Sequence, residues 1–159
     1  MPERIYVETT IPSFYFEVRA EATMVARRAW TRRWWAAALI RDLLVTSVPV
    51  LEELERGDFP SRAECLSLLE GLPLVAVDQA VMEVVDTYVR HQVMPRDPTG
   101  DAMHLALASF HGCDFLVTWN CRHLANPNKF EHIRRVNAML GIHVPALVTP
   151  YDLLGESDE

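Results

Sequence analysis

The sequence predicts an α/β fold in which helices cover both faces of a mostly parallel sheet. Short runs of β-branched and aliphatic residues alternate with longer segments that have helical periodicity. The short runs are apolar at consecutive positions, which is typical of strands buried on both faces. A chain of 159 residues with 50% hydrophobic residues is long enough for one compact core and too short for two ordinary domains. We therefore expect a single domain over residues 1–159.

Local signals bound each expected element. Strands are expected at residues 5–7, 44–48, 74–77, 115–118 and 144–148. Helices are expected at residues 20–43, 49–56, 61–70, 80–93, 99–111 and 128–140. Gly71, Gly112 and Gly141 occupy the usual glycine position after a helix C-terminus, and Pro95 ends the fourth helix.

The charge balance limits the partners that the chain can bind. Fifteen basic and 22 acidic side chains give a net charge of -7, which by itself argues against nucleic-acid binding. Clustered carboxylates that bind divalent cations would supply positive charge locally. The distribution is also uneven, because six arginines and one acid, Glu21, lie between Arg19 and Arg41. No stretch is long and apolar enough to span a bilayer, and the first residues lack an apolar signal core, so we expect a cytoplasmic protein with no membrane contact.

Several common catalytic motifs are missing from the sequence. It contains no phosphate-binding P-loop, no GxGxxG fingerprint, no HExxH zinc motif and no GxSxG nucleophile elbow. The three cysteines form no CxxC pair and are expected to be reduced thiols. Cys121 and His123 could act as nucleophile and base, but no third group is identified that would orient the histidine.

Four oxygen-bearing side chains are predicted to meet at one edge of the sheet. Sites in open α/β folds form beyond the carboxyl ends of the strands, where helix N-termini also open. Glu8 closes the first expected strand, and Asn120 follows the fourth. Glu53 and Asp101 lie in the first turns of nearby helices. Such hard oxygen donors suit Mg²⁺ or Mn²⁺ rather than zinc.

Each of these four residues also has an ordinary structural explanation. Glu8 could be a strand-end carboxylate, and Glu53 could be one of several solvated acids in the run LEELERGD. Asp101 would interact favourably with a helix dipole, and Asn120 is common in turns. Only their joint placement favours a functional site.

Four blocks of the sequence resemble a known family. They are YVETTIPSFY, TSVPVLEELERGD, GDAMHLALASFHGCDFLVTWN and VTPYDLL. These blocks are similar to successive blocks of PIN domains, most closely those of VapC-type toxin ribonucleases from toxin–antitoxin pairs, over residues 5–154. The spacing from Ser47 to Glu53 selects that glutamate over its acidic neighbours. The resemblance implies a PIN-like (Rossmann-like) α/β/α sandwich with a five-stranded parallel sheet.

The resemblance also implies a metal-dependent endoribonuclease. Glu8, Glu53 and Asp101 would hold Mg²⁺ or Mn²⁺, and Asn120 would orient a water or complete a second metal shell. The chain departs from the family pattern at two positions. Glu8 replaces the commoner Asp and adds a methylene, whereas Asn120 replaces Asp and keeps an oxygen while removing a negative charge.

Further residues near the proposed site could assist it. Asp97 and Asp114 could compensate for the charge that is missing at the asparagine. Arg122, His123 and His104 are candidates to bind substrate and to stabilise a leaving oxygen. His104 could equally be a structural histidine packed under the site.

The long first helix carries arginines and tryptophans together. Trp30, Trp34 and Trp35 fall on one arc of the helix beside arginines, while Arg32 and Arg33 interrupt the aliphatic stripe and suggest a bend or a break. Exposed tryptophans beside arginines have the composition of an interface, although packing against the core is the alternative. The resemblance to VapC-type toxins, which are held by an antitoxin peptide, implies contact with a small antitoxin protein; a homodimer partner or unpaired RNA bases are the other options.

Three functional hypotheses follow from the sequence. The leading hypothesis is a Mg²⁺-dependent ribonuclease that is the toxin of a toxin–antitoxin pair. The second is a PIN-like module that has lost turnover through Asn120 and binds RNA or a protein partner. The third is a metal-dependent phosphatase or phosphotransferase, which the sequence disfavours because the expected aspartyl nucleophile and its acidic neighbour are absent after the first strand.

Overall fold

The computed structural model describes residues 2–94 and 100–155, and its centre is a sheet of four parallel strands. The strands are β1 (Arg4–Val7), β2 (Leu43–Val45), β3 (Phe115–Val117) and β4 (Ala146–Val148). Their order across the sheet is β2-β1-β3-β4, and every neighbouring pair is parallel. The predicted α/β class with a parallel sheet is confirmed, since helices connect each strand to the next.

Seven α-helices are found within the described residues. They are α1 (Thr10–Tyr15), α2 (Ala22–Arg41), α3 (Val48–Arg56), α4 (Arg62–Leu69), α5 (Gln79–Arg90), α6 (Asp101–Phe110) and α7 (Pro127–Leu140). A short 3-10 helix follows at Tyr151–Leu153. Helix α1 packs on α2 and α4, α3 packs on α4, and α5 packs on α6. Within residues 2–94 and 100–155, no helix has the length and apolarity needed to cross a membrane.

Local sequence accounts for several helix ends. Ser47, Asp78 and Asn126 are the N-caps of α3, α5 and α7, and their side chains accept hydrogen bonds from main-chain N–H groups of the first turn. Gly141 ends α7 in the left-handed conformation, with φ at 69°. The predicted helices are therefore found to within a few residues at each described end. The helix expected at 80–93 ends at Arg90, and residue 99, where the next helix was expected to begin, lies outside the described residues together with Pro95.

The expected strand at residues 74–77 is not part of the described sheet, which has four strands rather than five. This segment makes a single parallel bridge between Thr46 and Leu74. Thr46 N donates to Pro73 O at 3.0 Å, and Val75 N donates to Thr46 O at 2.9 Å. Because proline cannot donate to a ladder and Leu74 is exposed, the segment forms only an edge contact beside β2.

Two features of the first helices also differ from the sequence-based expectation. Helix α1 was not predicted, because six residues are too few to show a helical period. Helix α2 runs unbroken through Arg32 and Arg33, and both of these side chains are exposed, so the expected interruption is not found.

Trp34 and Trp35 belong to the core rather than to a contact surface. Their side chains are 0% and 4% exposed, and their rings meet edge to face. Trp35 also packs against Tyr15 of α1. The predicted partner-binding surface of three tryptophans is therefore wrong for these two, because both side chains are buried within the chain itself. Trp30 remains partly exposed.

Candidate active site at the carboxyl ends of the strands

The predicted site residues lie at the carboxyl-terminal edge of the sheet. Glu8 follows β1 directly, and Asn120 follows the neighbouring strand β3. Glu53 lies in α3, which begins shortly after β2 on the other side of β1. Asp101 is the first residue of α6. The parallel strand order thus places all four residues in one region of the molecule.

Glu8 is a buried carboxylate that is held by hydroxyl and main-chain groups. Its side chain is 4% exposed. Glu8 Oε1 accepts hydrogen bonds from Thr10 N at 2.9 Å, from the Thr10 hydroxyl, and from Thr118 Oγ1 at 2.9 Å. Burial raises the pKa of Glu8, and the charge of His104 and the threonine hydrogen bonds oppose that rise only in part. An ionised Glu8 is therefore favoured by additional positive charge nearby.

The Glu53 carboxylate joins α3 to α1 and α6. Its Oε2 accepts a hydrogen bond from Thr9 Oγ1 at 2.6 Å, and its Oε1 lies 2.9 Å from His104 Nε2. Burial acts to raise the pKa of Glu53, but the hydrogen bond and charge of His104 outweigh burial and lower it. Burial likewise acts to lower the pKa of His104, and Glu53 outweighs it and raises the pKa. Each partner therefore stabilises the charged form of the other.

Asn120 connects Asp101 to the loop after β3. Asn120 Nδ2 donates to Asp101 Oδ1 at 3.0 Å, and Asn120 Oδ1 accepts a hydrogen bond from His123 N at 3.0 Å. A main-chain N–H can only donate, so the amide oxygen must face His123 and the amino group must face Asp101. The amino group thus occupies the place where a second carboxylate would lie 3.0 Å from the first.

Threonines fix the carboxylates of Glu8 and Glu53, and hydrogen bonds through Thr118 and Asn120 connect Glu8 to Asp101. The Thr118 hydroxyl, which donates to the buried carboxylate after β1, also accepts a hydrogen bond from Asn120 N at 2.9 Å. Thr9, which binds Glu53, is adjacent in the chain to Thr10. Reasoning from the sequence identified the acids but missed these threonines. The TT pair directly after the first acid and the threonine of TWN are the signals that could have identified them.

A buried hydrogen-bonded chain lies beneath Glu53. The Tyr6 hydroxyl is 2.7 Å from Ser47 Oγ and 2.7 Å from His104 Nδ1, and all three side chains are buried. Ser47 Oγ also accepts a hydrogen bond from Val50 N at 3.4 Å as the cap of α3. His104 was a candidate for substrate binding, but both of its ring nitrogens contact protein groups and its side chain is buried. It can act on a ligand only through Glu53, so the predicted substrate contact is wrong.

A basic cleft of about 720 Å³ opens beside the site. Its lining includes Arg122, His123 and Lys129, together with Gln92 and Asn126. Burial lowers the pKa of Lys129 and the negative charge of Asp101 opposes that shift, which places the ammonium group within electrostatic reach of the site. Lys129 Nζ donates to Val93 O at 3.0 Å, so the cation is held in position. Arg122 and His123 therefore lie where a phosphate next to the site could be bound.

The charge that Asn120 lacks is not replaced by Asp114. The Asp114 carboxylate accepts a hydrogen bond from Arg4 N at 2.8 Å, at the beginning of β1 and hence at the opposite end of the sheet. Asp97, the other candidate, lies outside the described residues. Asp114 is thus structural, and it joins the start of β1 to the start of β3.

The side-chain donors of the site are oxygen atoms, which divalent cations such as Mg²⁺ prefer. Within residues 2–94 and 100–155, no group of three or more histidine, cysteine, aspartate or glutamate side chains is arranged to hold a metal ion. The donor chemistry nevertheless suits a hard cation, since each of the three carboxylates at this edge is fixed by hydrogen bonds and one of them is buried with a raised pKa. A carboxylate oxygen that accepts hydrogen bonds keeps further lone pairs for a metal.

Comparison with known proteins does not assign this chain to a family. No model of a protein family, no curated protein and no solved structure matches the sequence or the fold.

Proposed function

We propose that the protein is a Mg²⁺-dependent endoribonuclease of the PIN type that hydrolyses RNA phosphodiester bonds. The observation that carries the proposal is that Glu8, Glu53 and Asp101 come together at the carboxyl-terminal edge of a parallel sheet, where hydrogen bonds fix each carboxylate. Acids from three separate parts of the chain are held together there. Such an arrangement is costly without compensating positive charge.

In this proposal, Glu8, Glu53 and Asp101 hold the cation directly or through water. When bound, Mg²⁺ lowers the pKa of water and neutralises charge that develops on the phosphoryl oxygens. The protein supplies fixed positions for the carboxylates. Thr9 and His104 orient the carboxylate of Glu53 from two sides, and the amide after β3 orients that of Asp101.

The basic cleft supports an anionic polymer as the substrate. Arg122, His123 and Lys129 add positive side chains or hydrogen-bond donors beside the acids, in a chain whose net charge is -7. The cleft borders the site at His123, whose main-chain N donates to the Asn120 amide that binds Asp101, so a phosphodiester in the cleft would lie near the acids. Contacts of this kind hold the phosphate backbone and carry no base sequence information.

The biological setting of the proposal comes from the sequence blocks that resemble VapC-type toxins. On that basis we propose that a small antitoxin protein inhibits the enzyme and that the chain acts as a homodimer or a higher oligomer. Expression in a bacterial host tests this setting. Growth arrest that is relieved by co-expression of the adjacent open reading frame is the expected result, and harmless expression of active enzyme would contradict it.

The activity is tested with the purified protein and a labelled single-stranded RNA in Mg²⁺, with and without EDTA. We expect cleavage that EDTA abolishes and that Glu53→Gln or Asp101→Asn lowers by about 10²–10³-fold, because each variant removes charge at the proposed cation site. Glu55→Gln is the matched control, since Glu55 is an exposed acid on the same helix as Glu53. It should retain full activity.

A second readout does not depend on turnover. Mn²⁺ should raise the melting temperature of the wild type and of Glu55→Gln, and it should raise that of Glu53→Gln less. Equal cleavage by the wild type and both site variants would identify a contaminating nuclease and reject the site. Absence of both cleavage and Mn²⁺ stabilisation would reject the proposed function.

A silent binding module is the second candidate, and one specific observation favours it. Both polar atoms of the Asn120 amide are engaged by protein groups, which leaves the fourth family position committed to structure. This candidate predicts RNA or protein binding without cleavage in any divalent cation. The cleavage assay above therefore distinguishes the two candidates.

A further inference from the structure

Four aromatic side chains form a platform beside the proposed active site. We call this group the aromatic platform, and it consists of Phe14, Trp30, Trp119 and Tyr151. The Trp30 and Trp119 rings are stacked, with centroids 6.2 Å apart and planes at 26°. The Tyr151 ring lies 4.6 Å from Trp30, and the Phe14 ring lies 6.0 Å from Trp119. Phe14 and Trp30 are partly exposed, and Tyr151 is 51% exposed, so the platform reaches solvent.

Arg27 adds a cation to the aromatic platform. Its guanidinium carbon lies 5.0 Å from the centroid of the Trp119 ring and 5.4 Å from that of Phe14. Within residues 2–94 and 100–155, no carboxylate forms an ion pair with Arg27. The guanidinium is thus held by cation–π contacts, and within the described part of the chain no carboxylate competes with an incoming anion for its donors.

The helix that carries Trp30 and Arg27 is strongly basic. Helix α2 contains five arginines and no aspartate or glutamate, although the whole chain carries a net charge of -7. A polyanion is therefore attracted to this helix in an otherwise acidic protein. An acidic protein segment would also be attracted to the arginines, but it would stack less well than a nucleobase on the flat aromatic rings beside this helix.

The aromatic platform is joined directly to the active site. Trp119 lies between Thr118 and Asn120, and Trp119 N donates to Thr10 Oγ1 at 2.8 Å. Its indole Nε1 donates to Thr31 Oγ1 of α2 at 2.7 Å, which fixes the ring against the helix. The same loop therefore presents a hydrogen-bonding residue to the acids and a ring to the platform.

We propose that the aromatic platform binds an unpaired nucleobase of the RNA, next to the phosphodiester that the active site cleaves. The base stacks on the exposed part of Trp30 and Tyr151, and Arg27 binds the adjoining phosphate. Stacking on aromatic rings is tolerant of base identity, so the site selects single-stranded over duplex RNA rather than one sequence. This inference rests on the proposed function for the position of the cleaved bond, but the binding step itself does not.

Binding is measured in EDTA, which removes cleavage, with a fluorescein-labelled strand of eight uridines or eight adenosines. We expect Trp30→Ala and Tyr151→Ala each to weaken binding by between about 5-fold and 100-fold, the range for loss of one stacked base. Trp30→Phe should restore most of the affinity, because a ring remains. Ile40→Ala is the matched control, since Ile40 is 91% exposed on the same helix and should leave binding unchanged.

Two further measurements separate stacking from simple charge attraction. A duplex of the same length should bind more weakly than the single strand, and Trp30→Ala should not change duplex binding. Arg27→Ala should weaken binding of the single strand and lower its dependence on salt concentration. Arg41→Ala removes an equal charge about 20 Å along the helix axis, and it should have the smaller effect on the single strand.

Several outcomes would overturn the inference. Equal single-strand affinity for the wild type, Trp30→Ala and Tyr151→Ala would do so even if the enzyme cleaves RNA. A loss of self-association in Trp30→Ala without a change in RNA affinity would also overturn the inference, because that result would assign the surface to a protein partner. Conversely, binding that depends on Trp30 in a protein that cleaves nothing would support the nucleobase site and reject the proposed nuclease. The two proposals can therefore fail separately.

Discussion

Substitution of Asn120 by aspartate tests the electrostatics of the candidate site most directly. Asn120 Nδ2 donates to Asp101 Oδ1 at 3.0 Å, and its orientation is fixed by the hydrogen bond from His123 N. Asn120→Asp would replace the donor by a carboxylate oxygen at about the same distance. Two negative charges would then face each other unless a proton or a cation enters between them.

The cost of this substitution can be bounded from the geometry. Loss of a hydrogen bond to a charged group costs about 1.5–3 kcal/mol. Repulsion between two charges at 3 Å would add up to about 5 kcal/mol at an effective dielectric constant of 20, and partial exposure of both side chains reduces this term. Uptake of one proton relieves the repulsion and costs about 4 kcal/mol at pH 7 for an ordinary aspartate. We therefore expect Asn120→Asp to lower the free energy of unfolding by about 2–4 kcal/mol in EDTA.

The assay is thermal unfolding in EDTA and in Mg²⁺ or Mn²⁺ at several pH values. For a chain of this length, the expected loss lowers the melting temperature by about 4–16 °C at pH 7. The deficit should shrink towards pH 5, because the folded variant binds a proton that its unfolded state lacks and is stabilised as the pH falls. A divalent cation should also reduce the deficit, since it binds the folded state only.

Asn126→Asp is the matched control for this experiment. Asn126 caps α7 through its Oδ1, which accepts a hydrogen bond from Asn128 N, and its Nδ2 donates to Arg122 O at 2.8 Å, so this variant also loses one hydrogen bond but faces no carboxylate. A negative charge at a helix N-terminus is favourable and offsets part of the lost hydrogen bond, so this variant should lower stability by less than about 1.5 kcal/mol and show no dependence on Mn²⁺. If Asn120→Asp has the same melting temperature as the wild type in EDTA, or a deficit that is independent of pH and of Mn²⁺, the reasoning about facing carboxylates is refuted.

Three further predictions follow from the structure. Glu8→Gln should stabilise the metal-free protein by about 0.5–2 kcal/mol at pH 7, measured by urea unfolding, because it removes the charge of a buried carboxyl group whose pKa is raised by burial. The same variant should lose the stabilisation by Mn²⁺. The stability lost in His104→Gln should be greatest between about pH 4.5 and pH 6.5, where the charged pair with Glu53 contributes fully. The loss should become smaller at higher pH, as the pH passes the raised pKa of His104, and at lower pH, as it passes the lowered pKa of Glu53. A loss of stability that does not change with pH would contradict the charged pair. Gly141→Ala should cost about 1 kcal/mol in the same assay because φ is 69°, and Gly141→Asn should cost less.

The fold could be predicted from the sequence where local signals are strong. Caps such as Ser47 and Asn126 and a glycine such as Gly141 fix helix ends through nearby hydrogen bonds and backbone geometry, so the helices were predicted to within a few residues. The strand at residues 74–77 was over-predicted, because an apolar run shows burial preference but not whether a partner strand lies beside it. Trp34 and Trp35 were predicted to lie on a contact surface but are buried. A helical projection shows which residues share a face, but not whether other parts of the chain cover that face.

The acidic residues of the candidate site could be predicted from the sequence, but the residues that hold them in place could not. Acids after strands and in first helical turns converge because parallel strands end at a common edge, which a sequence can show. The roles of Thr9 and Thr118 depend on side-chain directions that only the assembled loops define. Likewise, a buried position for His104 follows from its contact with Tyr6, which is 98 residues away in the chain.

The hydrogen bonds in the chain from α3 to Glu53 all run in one donor-to-acceptor order, which couples the protonation of His104 to the Ser47 cap of α3. When His104 carries its only proton on Nε2, every group is matched: Val50 N donates to Ser47, Ser47 to Tyr6, and Tyr6 to His104 Nδ1. A second proton on Nδ1 obliges the tyrosine hydroxyl to turn round and donate to the serine. The Ser47 hydroxyl must then donate to an acceptor other than the Tyr6 hydroxyl. Protonation of His104 at Nδ1 therefore requires the hydroxyls of Tyr6 and Ser47 to rotate at the start of α3.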